Sequence, residues 1–248
     1  MPPFFITGVM IEYFETWRIV SSYMMRTAAV ILLCWLVPYL QAQDAIVPTP
    51  APLTPTLPEP RPELQPDSPP PVALRFFTKN PPAIQALIRK CFELDALKLG
   101  YVYGSADPKN GAMDCSGTIF YLLQQAGFKD VPRQADGFYR QAWEAGLFFA
   151  VNAAGFDSFE WKHLRPGDLL FWTGTYDVKR DPPVSHVMLY LGEEEGTGRK
   201  LMFGASENRP YGHERKSGVG VFDFDLPKPE KSGTAARFIG YAHILGLQ

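Results

Sequence analysis

Proline divides this chain into a segment that favours an extended spacer and a segment able to fold. The sequence contains 24 prolines, and they recur every few residues between Pro48 and Pro71. Each proline lacks an amide hydrogen and fixes φ, so this stretch favours extended polyproline II over helix or sheet. We therefore predict a proline-rich linker over residues 43–74 and a folded domain over residues 75–248.

The segment ahead of the linker has the features of a secretory signal peptide over residues 24–42. It has a basic start, an uncharged apolar stretch shorter than a membrane span, and Ala42 as a small residue suited to cleavage. Residues 1–23 carry acidic side chains that the start of such a signal lacks, and we interpret them as a mis-assigned start. Residues 1–42 would then be absent from the mature protein. We predict export to the periplasm or cell envelope, without stable membrane insertion after signal cleavage.

Charge and cysteine content narrow the function. The chain has 24 basic and 26 acidic residues and a net charge of −2, so it has no basic footprint for nucleic acid. Cys34 lies in the predicted signal peptide, and Cys91 falls on the apolar face of a predicted helix, where it is interpreted as a small core residue. Cys115 is left as an unpaired thiol in an oxidising compartment, and this calls for a chemical explanation.

The periodicity of apolar residues predicts helices first and strands later. Segments 81–100 and 114–127 place apolar residues at helical spacing, and segment 133–146 is a third predicted helix. After about residue 165 the pattern changes to short aromatic and branched runs separated by Gly, Pro and charged clusters, which is typical of strands. The predicted strands are 167–172, 185–192, 200–206, 218–226 and 237–246. This order predicts an α+β domain with N-terminal helices packed on a mainly antiparallel sheet of about five to six strands.

Cys115 has surroundings expected to activate a thiol. It lies at the first position of a predicted helix, where the positive helix end stabilises a thiolate, and a neighbouring imidazole would add to this effect. We therefore expect the two groups to exist largely as a thiolate–imidazolium pair. His186 is the preferred imidazole because it begins a predicted strand directly after a long loop, 173–185, which is expected to form one wall of a cleft. A buried structural role for His186 stays open. The other histidines fall in polar segments or inside the last strand, and they are His163, His213 and His243.

Three motifs together resemble one family. Asp-Cys-Ser-Gly at 114–117, Pro-Gly-Asp at 166–168 and Ser-His-Val at 185–187 occur in the order found in the NlpC/P60 cell-wall cysteine peptidases. The resemblance extends from about Leu99 to Ser206. It implies a papain-like core that needs no metal or cofactor. It also implies cleavage of peptidoglycan stem peptides or muropeptides, typically at a γ-D-glutamyl–diamino acid bond.

The resemblance also implies residue roles. Cys115 corresponds to the nucleophile and His186 to the base, while Tyr101 corresponds to a tyrosine that helps to polarise the scissile carbonyl. Asp114 and Ser116 correspond to positions that, in some family members, hold the free amine of an N-terminal L-Ala on the substrate, and Arg133 corresponds to the arginine that opens the next helix. The positions expected to bind substrate are Asp114, Ser116 and Arg133.

One family position departs from the pattern. In the family a third polar residue orients the imidazole, and the corresponding position in this chain is Gly204. Glycine has no side chain that could take this role. Glu207 is the preferred substitute, although a loop carboxylate of this kind is commonly solvated. Its alternatives are Ser206, Asn208 and His213.

Three competing functions stay open from the sequence. A non-catalytic wall-binding module is favoured by the glycine at position 204. An amidase, or another acyl-transfer hydrolase, is possible on the same scaffold. A metal site formed by Asp114, Cys115 and His186 is the third, although the chain has neither CxxC nor HExxH spacing.

Overall fold

The computed structural model describes residues 73–226 and 236–247. The predicted signal peptide and nearly all of the predicted linker lie outside the described residues. The helices are α1 (Pro82–Ala96), α2 (Cys115–Gln125) and α3 (Ala135–Glu144). The strands are β1 (Gly100–Tyr101), β2 (Ala112–Met113), β3 (Phe148–Ala150), β4 (Leu169–Thr173), β5 (Val184–Glu193), β6 (Lys200–Tyr211), β7 (Glu214–Asp223) and β8 (Arg237–Ala242).

All three predicted helices are confirmed, and their ends follow from local chemistry. Helix α1 begins at Pro82, where the missing amide hydrogen costs nothing in a first turn. It ends at Ala96, and Lys98 then adopts a positive φ of 52° before the chain enters β1. Within the described residues no helix has the length and apolar character needed to cross a membrane.

The sheet confirms the α+β prediction. Six strands lie in the order β3-β8-β4-β5-β6-β7, and all neighbouring pairs are antiparallel. Strands β1 and β2 form a separate parallel pair of two residues each. The three-residue strand β3 has no signal in the sequence, because its hydrogen bonds come from β8 and not from a pattern of its own.

Alternating side chains of β5 pack on opposite faces of the sheet. Val187 and Leu189 join the core beneath the helices, together with Ile119 of α2. Met188 and Tyr190 join a second, aromatic-rich core on the opposite face. The apolar run of this central strand is therefore continuous because both faces are buried.

The β6–β7 connection differs from the sequence prediction. Residues 207–217 were expected to be loop, but β6 continues to Tyr211 and β7 begins at Glu214, so the two strands extend as a long hairpin. The register shifts between Ser206 and Arg209, where Asn208 has a φ of 51°. This bulge re-aims the side chains that follow it.

Candidate active site

Helix α2 starts where Asp114 caps it. The Asp114 carboxylate accepts a hydrogen bond of 2.5 Å from the amide of Gly117, and Cys115 is the first helical residue. Gly117 packs directly on a loop, because a Cβ at this position would lie 2.2 Å from the carbonyl oxygen of Ser105. The Asp-Cys-Ser-Gly motif thus places the cysteine by a cap on one side and a backbone contact on the other.

The three predicted substrate-binding residues lie together. Arg133 donates to both carboxylate oxygens of Asp114 at 3.1 and 2.9 Å, and also to the Ser116 hydroxyl at 3.1 Å. Asp114 further accepts from the Gly104 amide at 2.7 Å and from Ser116 at 3.2 Å. These donors, with the Gly117 amide, occupy about all the lone pairs that a carboxylate offers. The geometry therefore favours a structural part for Asp114 over direct contact with a substrate amine.

Cys115 meets strand β5 beside His186. The β5–β6 ladder runs from Leu189 to Glu193, and beyond it the backbone amide of Val187 lies near enough to the Cys115 sulfur to lower the pKa of the thiol. Val187 follows His186 directly. The two residues that the sequence pairs, 71 positions apart, thus lie on neighbouring elements, α2 and β5. Among the described residues the Cys115 sulfur forms no hydrogen bond to Nε2 of His186.

The His186 ring is almost completely buried in the protein. It lies edge-to-face with Trp172 at a centroid distance of 5.6 Å. Its Nε2 atom is buried and has no hydrogen-bond partner among the described residues. A side chain at Gly204 could not supply one without rearrangement, because its Cβ would lie 2.8 Å from the sulfur of Met188.

None of the four predicted orienting residues forms a hydrogen bond to His186 in the described part of the chain. Ser206 is buried and accepts a 3.1 Å hydrogen bond from Nε of Arg209. Glu207, Asn208 and His213 are exposed, and His213 lies at the tip of the β6–β7 hairpin. The identity of the orienting residue stays a prediction.

Burial decides the ionisation of the candidate pair. It raises the pKa of the Cys115 thiol to about 11, although amides at the helix start and of Val187 act in the opposite direction. Burial also holds the pKa of His186 well below its usual value, and the Arg209 charge adds to this. The sequence had predicted a thiolate–imidazolium pair. Both shifts instead favour a neutral thiol and a neutral imidazole, because desolvation opposes the effect of the helix end.

The pH dependence of alkylation tests this ionisation state. We expect the rate of Cys115 modification by iodoacetamide to rise about tenfold per pH unit from pH 7 to 10, as the small thiolate fraction grows. The rate is measured by mass spectrometry, with the Cys115→Ala protein reporting any modification elsewhere. A plateau that begins below pH 6 would instead indicate a resting ion pair.

Two recesses meet at the candidate site. The larger has a volume of about 950 Å³ and is lined by His186, Tyr101 and Arg209, among others. The smaller has a volume of about 190 Å³ and holds Cys115 and the Asp114 cluster. Burial and the charges at Cys115 and Asp114 raise the pKa of Tyr101, so its hydroxyl stays a hydrogen-bond donor.

Two tyrosines that the sequence analysis did not single out stand between the recesses. Tyr103 and Tyr176 line both of them and meet edge-to-face at a centroid distance of 6.0 Å. Tyr176 belongs to the loop predicted to form a cleft wall. In the described ranges no three side chains of His, Cys, Asp or Glu gather in a way that would hold a metal ion.

The protein is an α+β domain in which the helix that begins at Cys115 packs against an antiparallel sheet. This fold agrees with the class of protein that the three sequence motifs indicate. The NlpC/P60 family matches residues 98–210, so the segment that carries the site belongs to this family.

Individual relatives are more distant. Over 136 residues the chain is 29% identical to the gamma-DL-glutamyl hydrolase of Bacillus subtilis (strain 168), a match that covers 52% of this chain. The match covers only 27% of the length of that relative. Among solved structures, NlpC2 from Trichomonas vaginalis is 20% identical with a TM-score of 0.37, covering 62% of this chain and 45% of that one.

Proposed function

We propose that this protein is a cysteine endopeptidase that hydrolyses peptidoglycan stem peptides at a γ-D-glutamyl–diamino acid bond. The observation that carries the proposal is the position of Cys115 at the first residue of α2, a helix that packs against strand β5, which carries His186. Membership of the NlpC/P60 family and the likeness to a gamma-DL-glutamyl hydrolase support the substrate class.

The mechanism follows from the neutral resting pair. His186 takes the Cys115 proton as the sulfur attacks the carbonyl carbon and forms a C–S bond. The developing oxyanion is stabilised by the Cys115 amide at the helix start and by the Tyr101 hydroxyl. His186 then protonates the leaving amine as the C–N bond breaks. A water molecule that loses its proton to His186 hydrolyses the thioester, and the thiol is restored.

Product analysis on defined stem peptides tests the proposal. We expect cleavage of L-Ala-γ-D-Glu-diamino acid peptides to give L-Ala-D-Glu and a free diamino acid amine, detected by mass spectrometry. Since Arg133 already occupies Asp114, an N-acetylated peptide should be cut at a rate within a few-fold of the free-amine peptide. Products that show cleavage at the sugar–peptide amide would support the amidase alternative.

A non-catalytic wall-binding module is the second candidate. The observation that favours it is the buried Nε2 atom of His186, which has no orienting partner in the part of the chain that the structure describes. Such a group costs about 1–3 kcal/mol when unsatisfied. Binding of stem peptides without any product, at enzyme concentrations that exceed the substrate, would favour this candidate over the peptidase.

Export to the periplasm or cell envelope is part of the same proposal, because peptidoglycan lies there. It rests on the signal-peptide pattern of residues 24–42. N-terminal sequencing of the mature protein is the check, and a start at Gln43 is expected.

A further inference from the structure

Arg209 is fixed at the edge of the larger recess. It follows the β6 bulge, and its Nε donates to the Ser206 hydroxyl at 3.1 Å. Its guanidinium lies over the indole ring of Trp172, 5.0 Å from the ring centroid. One edge and one face of the guanidinium are thus held, and the residue lines the larger recess.

The charge of Arg209 is not neutralised within residues 73–226 and 236–247. Two other partly buried arginines have a carboxylate partner: Arg133 pairs with Asp114, and Arg199 with Glu194. No ion pair of this kind involves Arg209, and its terminal nitrogens form no hydrogen bond with a described residue. Burial lowers the pKa of Arg209 to about 10, so the group still carries its charge at neutral pH.

Arg209 lies near the reacting groups. Its charge lowers the pKa of His186, and the charge of a Cys115 thiolate would in turn stabilise the guanidinium. It shares the larger recess with His186 but does not line the smaller recess that holds Cys115. The proton donor to the leaving amine is His186, so the leaving half of a substrate belongs in the larger recess.

We propose that Arg209 forms a subsite that binds a carboxylate on the leaving half of the substrate. A guanidinium presents paired N–H groups that match a carboxylate in a bidentate arrangement, and its stacking on an indole pre-organises it for this contact. The inference rests on the proposed function for the identity of that half, a diamino acid with its C-terminal extension. Its carboxylate comes from either the diamino acid side chain or the peptide C-terminus.

Binding of the carboxylate also bears on the chemistry. The Arg209 charge opposes formation of the His186 imidazolium, which must appear when the thiol loses its proton. A substrate carboxylate on Arg209 offsets that charge at the moment when His186 becomes protonated. Loss of the carboxylate is therefore expected to lower kcat as well as to raise KM.

Matched substrates test the subsite. L-Ala-γ-D-Glu-meso-diaminopimelyl-D-Ala is compared with two forms, one amidated at the diaminopimelate side chain and one at the C-terminus. We expect the full-length protein to prefer the acid over one of the amides by about tenfold to hundredfold in kcat/KM, the range for a hydrogen bond to a charged group. The amide that is disfavoured identifies the source of the carboxylate.

Two variants assign the preference to Arg209. Arg209→Gln should bring the acid-to-amide ratio close to one, and Arg209→Lys should restore part of it. Arg215→Gln is the control, since Arg215 borders the same recess but is exposed and bonded to Asn208, and it should keep the ratio. The proposal is overturned when Arg209→Gln slows acid and amides equally, or when the unaltered protein shows no preference.

A binding measurement separates this proposal from the proposed function. The Cys115→Ala protein is titrated by calorimetry with meso-diaminopimelyl-D-Ala and with its two amides. One outcome is that the Cys115→Ala protein prefers the acid through Arg209 while the unaltered protein hydrolyses no stem peptide. This outcome supports the subsite, and the peptidase proposal fails. Hydrolysis of stem peptides by the unaltered protein, with equal binding of acid and amides, supports the peptidase and overturns the subsite.

Discussion

Replacing Cys115 with alanine should abolish hydrolysis of stem peptides and leave the protein folded. The change removes the only atom that forms the covalent intermediate in the proposed mechanism, so kcat should fall by at least about 10⁴-fold. The structural cost is small, because the main loss is the packing of one buried sulfur atom, worth about 1 kcal/mol. Peptide turnover and thermal unfolding, measured on the same preparation, check both halves of the expectation.

Cys91→Ala is the matched control. Cys91 is fully buried in α1 and packs in the core, and burial raises the pKa of its thiol. Its removal should cost about 1 kcal/mol of stability through the lost packing and leave kcat unchanged. Turnover that survives in Cys115→Ala, or that vanishes in Cys91→Ala, would contradict the assignment of the nucleophile.

Asp114→Ala should have the largest effect on stability among the site residues. Asp114 is 4% exposed, caps α2 through Gly117 and pairs with both terminal nitrogens of Arg133. The alanine leaves the Gly104 amide and the guanidinium without their acceptor. We expect the free energy of unfolding to fall by about 3–5 kcal/mol, as for the loss of one partner of a buried pair. Urea denaturation measures the change, and kcat/KM should fall with it as the helix start loosens.

Glu93→Ala provides the comparison for that experiment. Glu93 pairs with Lys90 on the surface of α1 at 2.6 Å, and both side chains are partly solvent-exposed. An exposed pair of this kind contributes about 0–1 kcal/mol. Should Asp114→Ala destabilise the protein no more than Glu93→Ala does, the structural part assigned to the Asp114 cluster is wrong.

The sequence predicted the elements whose signal is local. The helices followed from apolar spacing and from the cap at Asp114, and the strands from short aromatic runs. The extension of the β6–β7 hairpin was missed, because residues 207–217 are polar and contain Pro210 and Gly212. Their strand conformation comes from main-chain pairing with each other, such as Pro210 with Arg215, which no side-chain pattern reveals.

The chemistry of the site was predictable in part. Motif order paired Cys115 with His186, and the helix that begins at Cys115 packs against the strand that carries His186. Their ionisation was not predictable, since a sequence shows the helix end but not the burial that opposes it. Arg209 was missed because it lay in a segment expected to be loop, and its relation to His186 depends on the bulge that precedes it.

The contact between Gly117 and Ser105 has a consequence for how this site tolerates change. The first turn of α2 rests on the loop through main-chain atoms, with 2.2 Å between the oxygen and the place where a Cβ would stand. Side chains of the loop can therefore be exchanged without altering the depth of the sulfur in the cleft. In a randomised library we expect position 117 to return glycine alone, while exposed loop positions such as Val102 accept many residues.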